Sequence, residues 1–151
     1  ISAEEYGATI EAFTFPDKFA LCDGTVEPVP GVQIGQQPRK PFGFTYRTKI
    51  GNDTKGLDLG YKLHLIYNAL AAPSEKAHAT INDSPEADTF SWELTTTPIA
   101  AGSNMSPTAC ITIDSTKVSP SKLKALENKL YGEAGPSELP LPTEVVTLLS
   151  A

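Results

Sequence analysis

The chain has 151 residues, enough for one domain with a core of its own, and we predict a single domain over residues 1–151. Its formal net charge is −6, from 12 Lys and Arg against 18 Asp and Glu, so it lacks the cationic excess with which proteins hold a nucleic-acid backbone. No apolar run is long enough to cross a bilayer, and no amino-terminal signal pattern is present.

The first predicted elements are short. Alternating side chains predict a strand over 7–13, and a proline at the first position favours a helical turn over 16–21. Residues 23–41 contain four prolines and three glycines, which predicts a long loop with room for a brief strand at 32–34.

Three strongly alternating segments follow, and they are the most informative feature of the sequence. Strand side chains point alternately to two faces, so each segment has one apolar and one polar face. The apolar positions are Phe42, Phe44, Tyr46 and Ile50, then Leu59, Tyr61, Leu63, Leu65, Tyr67 and Ala69, and then Phe90, Trp92 and Leu94. Long antiparallel strands of this kind build a sheet with one buried side.

The polar positions of these strands are candidates for a solvent-exposed or channel-lining surface: Thr45, Arg47, Lys49, Lys62, His64, Ser91, Glu93 and Thr95. Between the first two strands, residues 51–58 predict an extended, projecting hairpin tip. Its candidate contacts to a neighbouring subunit are Gly51, Asn52, Asp53, Thr54, Lys55 and Gly56. A plain solvent loop is the alternative for this tip.

The last third of the chain predicts a strand over 108–114 and one helix over 120–131. Ser119 is placed to cap this helix, three leucines form its apolar stripe, and Gly132 is placed to end it. Residues 143–149 are compatible with a helix or a strand. The fold class is therefore mainly β with one flanking helix, an α+β arrangement.

No catalytic or metal-binding pattern accompanies these strands. The two histidines, His64 and His78, are fourteen residues apart, and no spaced Cys/His cluster or nucleophile-elbow motif is present. We therefore expect no enzyme, no cofactor and no small-molecule ligand. Cys22 and Cys110 favour free thiols, with a single bridge as the alternative. The sequons at Asn52, Asn82 and Asn104 favour turn formation over glycosylation.

Several short motifs, taken in order, resemble the major tail proteins of long-tailed bacteriophages, the family that forms tail tubes. Each motif is weak alone, but together they span nearly the whole chain. They are Ile34-Gly35-Gln36-Gln37-x-Arg39, the segments 44–48 and 51–53, Gly60 to Tyr67, Asn82 to Ala87, Ser91 to Pro98, Ile113-Asp114-Ser115 and Leu130-Tyr131-Gly132. Because the family carries residues before the segment matching Ile1, we expect an amino-terminal segment to precede this chain.

The resemblance implies a β-sandwich or half-barrel flanked by a helix. It further implies that six copies close into a ring with a shared inner β-barrel, and that rings stack into a hollow tube that conducts DNA without binding it specifically. The implied partners are further copies and the tape measure, tail tip and terminator proteins. The implied location is the virion tail, assembled in the cytoplasm of the bacterial host. Tubes of contractile and of non-contractile tails fit equally.

Two other functions are compatible with the residues. One is a monomeric β-sandwich module for carbohydrate recognition or surface decoration, which would require aromatic side chains exposed on one polar face. The other is a hydrolase with two carboxylates, for which no organised site is evident. The apolar neighbours of the strand aromatics favour a core role and hence the tube subunit.

Overall fold

A computed structural model describes residues 5–73, 78, 80, 87–133 and 135–150. The fold is mainly β, with antiparallel sheets and two α-helices, and is thus of the α+β class. The chain forms two compact units. The helix-bearing unit comprises Gly43–Tyr67 and Thr97–Ala151, and the hairpin-bearing unit comprises Glu4–Phe42 and Asn68–Thr96.

The helix-bearing unit contains a sheet with β5 at its centre. Strand β4 (Phe42–Asn52) and strand β7 (Cys110–Asp114) are both neighbours of β5 (Gly56–Ala71). The register of β5 with β7 runs from Lys62 opposite Asp114 to Ile66 opposite Cys110. The strands β4 and β5 extend into the predicted tip, so the loop between them is only residues 53–55.

Two helices complete this unit, one more than the sequence analysis predicted. Helix α1 (Pro120–Tyr131) has the predicted bounds and ends at Gly132, whose φ of 73° is left-handed. Ser119 occupies the cap position, but its side chain makes no capping hydrogen bond. Helix α2 (Pro142–Leu149) resolves the segment that the sequence left open between helix and strand. A short apolar run has no clear periodicity, which is why sequence alone could not assign it.

The core of the helix-bearing unit lies between the sheet and the helices. Odd-numbered side chains of β5 and β7 face the leucine stripe of α1 and one valine of α2. The buried residues of this core are Leu63, Leu65, Tyr67, Ile113, Leu123, Leu126, Leu130 and Val145. The hydroxyl of Tyr67 donates a hydrogen bond of 2.7 Å to the Pro140 carbonyl, which satisfies the one polar group that this ring buries.

The hairpin-bearing unit contains the sheet formed by β1 (Gly7–Ala12), β6 (Phe90–Thr96) and the end of β5. Strands β1 and β6 pair antiparallel, from Gly7 opposite Thr95 to Ala12 opposite Phe90. Trp92 is buried among the rings of Phe15, Phe19 and Phe90, and its indole N–H donates to the buried carboxylate of Asp23 over 2.7 Å. The predicted alternation of this strand is therefore present.

The predicted loop over 23–41 contains a two-stranded sheet. The expected brief strand is β3 (Val32–Ile34), and it pairs antiparallel with β2 (Val26–Val29), which the sequence analysis did not predict because Pro28 lies inside it. A short 3-10 helix, Asp17–Phe19, occupies the predicted helical turn. The turn between β2 and β3 includes Gly31, with φ of 85°.

Candidate functional site

One face of the β1–β6 sheet is an exposed polar surface. Directly opposed residues of two antiparallel strands project to the same face. Thr9 opposes Glu93, Glu11 opposes Ser91, and Gly7 opposes Thr95. These side chains are exposed, whereas Trp92, Leu94 and Thr96 on the other face are buried. We call the set Thr9, Glu11, Ser91, Glu93 and Thr95 the acidic sheet face.

The acidic sheet face contains two carboxylates and three hydroxyls. Neither β1 nor β6 includes a Lys or Arg. Three of the predicted channel-lining positions, Ser91, Glu93 and Thr95, are brought together here. Thr9 and Glu11 join them, and sequence analysis missed both because the pairing of β1 with β6 cannot be inferred from alternation within one strand.

The hairpin-bearing unit also has an open cavity of about 850 Å³. Its lining is Asp23, Gly24, Thr25, Gly35, Gln36, Gln37, Arg39, Leu70 and Pro73. The Arg39 guanidinium donates to the carbonyls of Ala71 and Ala72, both over 3.0 Å, and lies 3.9 Å from the Asp23 carboxylate. The Arg39 guanidinium thus holds the backbone of Ala71 and Ala72 in place.

The predicted polar positions of β4 and β5 do not form a single surface. Arg47 of β4 contacts α1, whereas His64 of β5 lies on the sheet face that is opposite the helices. Thr45 and Lys49 share the strand face of Arg47, and Lys62 shares that of His64. The two groups thus belong to opposite sides of the same sheet.

Arg47 belongs to an aromatic and ionic cluster on the helix side. Its guanidinium lies 3.0 Å from the Glu127 carboxylate, donates to the Tyr131 hydroxyl over 3.2 Å, and stacks 4.7 Å from the centre of the Tyr61 ring. The Tyr61 hydroxyl donates to Glu127 over 2.6 Å. Burial, together with this bond to Glu127, raises the pKa of Tyr61. The cluster ties β4 and β5 to α1.

His64 is held on three sides. Its two ring nitrogens are hydrogen-bonded to the hydroxyls of Thr48, at 2.8 Å, and of Thr112, at 3.1 Å, and its ring stacks on Tyr46. Burial, followed by the positive charge of Lys62, lowers the pKa of the His64 imidazole. The side chain therefore bridges three strands, β4, β5 and β7.

All six predicted tip contacts, Gly51 to Gly56, are exposed. The Asn52 carboxamide oxygen accepts hydrogen bonds from the backbone N–H groups of Thr54, at 3.1 Å, and Lys55, at 2.6 Å. Gly56 follows with a left-handed φ of 59°. This is the turn geometry typical of a three-residue hairpin loop.

Metal-ligating side chains are not clustered in the parts of the chain that the structure describes. Within the described residues, no three His, Cys, Asp or Glu side chains are grouped to hold a metal ion, and no helix is long and apolar enough to span a membrane. Cys22 and Cys110 are both half-buried free thiols. His78 and Asp88 lie on the surface at 3.6 Å from each other. The sequon at Asn82 lies outside the described residues.

No protein-family model matches the chain, and no curated protein or solved structure is detectably similar to it.

Proposed function

We propose that this protein is a tail tube subunit of a long-tailed bacteriophage. In this proposal it is a structural protein that assembles into stacked hexameric rings of the tail-tube β-barrel type, and the tube conducts DNA into the host. Its activity is self-assembly followed by passive conduction, with no chemical turnover. Its partners are copies of itself and the tape measure, tail tip and terminator proteins.

The observation that carries the proposal is the acidic sheet face. Glu11 and Glu93 stand among hydroxyl side chains on a face of β1 and β6 that has no cation. A surface of this composition repels phosphates at short range and offers no site at which DNA would be retained. A ring multiplies the effect, because each copy adds its own formal charge of −6.

The position of the strands supports assembly. In the hairpin-bearing unit β1 ends the strand order, and in the helix-bearing unit β4 ends it. End strands are where a sheet can be extended by another chain, and closure of a ring is one way to cover them. A subunit that builds a continuous barrel requires strands in this position.

A recognition or decoration module is the second candidate, because one observation favours it. Phe44 and Tyr46 stack on each other, Tyr46 stacks on His64, and the Tyr46 side chain is 39% exposed. The assumption that these aromatics are core residues is therefore only partly met. Exposed aromatic rings are typical of surfaces that bind sugars or other proteins.

Negative-stain electron microscopy and light scattering of the purified protein separate the two functions. A tube subunit gives rings or tubes with a central hole, and the assembled fraction rises with protein concentration. A recognition module gives uniform monomers at every concentration. The second result would overturn the tube proposal.

A further inference from the structure

The open cavity of the hairpin-bearing unit is built around one short motif. Residues 35–39 supply the largest part of its lining, and residues 23–25 supply a further part. The amide N–H of Gln37 donates to the Gly24 carbonyl over 2.9 Å, which fastens these two segments together. The volume, about 850 Å³, lies in the range of pockets that hold small molecules. The motif is thus organised around a cavity of ligand size, a feature that the proposed assembly does not use.

The guanidinium of Arg39 is fixed in place and retains donors for a ligand. Its Nη1 atom donates to the Ala71 and Ala72 carbonyls, both over 3.0 Å. A guanidinium has five N–H donors, so the three on Nε and Nη2 remain after these bonds. Gly24 leaves the Nε side uncovered, because a Cβ at that position would lie 3.3 Å from Nε. The wall of the cavity therefore includes an oriented donor group.

Two carboxamides add acceptors and further donors. The Gln37 carboxamide donates to the Gly35 carbonyl over 3.1 Å, which leaves its oxygen as an acceptor. Gln36 is exposed and has a left-handed φ of 59°, which is uncommon for a residue with this side chain. Both glutamines line the cavity. Planar groups that donate and accept are therefore combined with the guanidinium in one lining.

The formal charges of the described lining cancel. Arg39 is its cation and Asp23 is its anion, with 3.9 Å between Nη1 and the carboxylate. The Asp23 side chain is only 3% exposed, and it accepts the indole N–H of Trp92 over 2.7 Å. A charged ligand would gain little from net attraction here. A neutral ligand that is rich in donors and acceptors matches the cavity better.

An apolar patch completes the lining. Leu70 is 42% exposed, and Pro73 is exposed as well. A sugar ring has an apolar side of C–H groups and a rim of neighbouring hydroxyls, each of which both donates and accepts. Pockets for small molecules combine apolar surface with a few placed polar groups in the same way. The lining is therefore suited to both parts of a sugar.

We propose that this cavity binds a neutral saccharide. The hydroxyls of the sugar bond to Arg39, Gln36 and Gln37. Its C–H side packs against Leu70 and Pro73. From the sequence we expected no small-molecule ligand, because these positions come from separate stretches of the chain. The site goes beyond the proposed function and does not depend on assembly.

Saturation-transfer NMR tests the site, because it observes the sugar and works on monomers and assemblies alike. The probes are maltose, lactose and cellobiose, and we expect saturation of the C–H protons of at least one of them. The same sugars coupled to agarose beads present a chain end. Binding of the free sugars alone assigns the cavity to a soluble saccharide, and binding in both forms assigns it to the end of a glycan.

One substitution in the lining and one outside it locate the binding. Gln36→Ala is expected to weaken the affinity for the sugar at least about fivefold, since it removes a carboxamide that pairs with hydroxyls. Gln33→Ala is the matched control, because Gln33 is exposed in β3 and is not among the lining residues. Its affinity is expected to equal that of the wild type.

Three results would overturn the saccharide site. One is the absence of saturation transfer to all three sugars, and another is an equal loss of affinity in the two glutamine variants. The third is stronger saturation of glutarate than of every sugar, which would assign the cavity to anions. None of these results bears on the tube proposal, which is tested by electron microscopy.

Discussion

The imidazole of His64 lies almost parallel to the ring of Tyr46, with centroids 4.5 Å apart and planes inclined by 14°. Tyr46 is an apolar-pattern residue of β4, and His64 is a polar-pattern residue of β5. Their contact means that the apolar face of one strand lies beside the polar face of the next. The sheet side away from the helices is therefore partly aromatic, and the side toward them includes Arg47.

His64 should make the stability of the protein depend on pH in the weakly acidic range. Its pKa is lowered in the folded state, so the unfolded chain binds a proton more readily below the ordinary value of 6.5. The contribution of His64 to the free energy of unfolding is then fully present above pH 6.5 and is lost as the pH falls below that value. Denaturant titrations between pH 5 and 7.5 measure the effect.

The variant His64→Gln should flatten this pH dependence, since it removes the titrating group. His78→Gln is the matched control, because it removes the other histidine of the sequence, which lies on the surface outside the three strands that His64 bridges. An unchanged slope in His64→Gln would contradict the assignment.

Tyr67 should produce a second dependence at alkaline pH. Burial raises its pKa from 10.0 to about 12. A phenol that ionises more readily in the unfolded chain contributes stability that is present below pH 10 and is lost as the pH rises through 12. Tyr67→Phe should lower the free energy of unfolding by about 1–2 kcal/mol at pH 7, because the Pro140 carbonyl loses its hydrogen-bond donor. Between about pH 7 and pH 10.5, the free energy of unfolding of this variant should decrease less than that of the wild type. Chemical denaturation at the two pH values measures both effects.

Arg47 should not be replaceable by lysine. Its planar group stacks on Tyr61 and pairs with Glu127 at once, which a lysine ammonium cannot reproduce. Arg47→Lys should lower the free energy of unfolding by about 1–2 kcal/mol. Lys49→Gln, two residues along the same strand face, should change it by less than about 0.5 kcal/mol. If both variants changed the free energy of unfolding equally, the Arg47 cluster would have no special role in stability.

Gly43 should accept a side chain only at a cost in stability. A Cβ there would lie 2.2 Å from a methyl of Leu139 and 3.0 Å from the Ile66 carbonyl oxygen. The Leu139 methyl ends a flexible side chain and can rotate, but the backbone oxygen must shift slightly, so Gly43→Ala should lose about 1 kcal/mol through overpacking. Gly35→Ala is the control, since a Cβ at Gly35 meets nothing within 4 Å. Thermal melts of the two variants give the comparison.

Inverting the acidic sheet face should convert assembled protein into a DNA-binding form. Glu11→Lys/Glu93→Lys places two cations among the hydroxyls, and co-sedimentation with duplex DNA at low salt should rise and then fall as salt is added. Asp17→Lys/Asp58→Lys makes the same change in net charge at exposed positions outside β1 and β6. If both double variants retained DNA equally, the effect would depend on net charge alone. That result would contradict a role for the acidic sheet face in letting DNA pass.

The faces of single strands could be predicted from sequence, but their combination could not. Alternation gives two sides for β4 and two for β5. Which sides coincide depends on the loop, and the observed loop of residues 53–55 has an odd length. Even-numbered residues of both strands then lie together, which brings Tyr46 to His64. The Gly- and Asp-rich tip allowed several loop lengths, so the sequence did not decide between them.

The Arg47 cluster was only half visible in the sequence. Glu127 lies four residues after Leu123 and three before Leu130, so its place on the buried side of α1 could have been found from helical spacing. Arg47 could not have been identified as its partner, because the two residues are eighty positions apart in the sequence and such pairing follows from tertiary packing. The same limit applies to the contact between Asp23 and Trp92.

Pro28 affects how readily the exposed apolar hairpin of β2 and β3 could seed aggregation. Proline has no N–H, so β2 cannot present an unbroken row of donors along its length. An aliphatic ribbon with complete edges would be a template for fibrillar cross-β growth. With this interruption, the exposed hairpin is a poorer template for amyloid-like stacking than an unbroken strand pair would be.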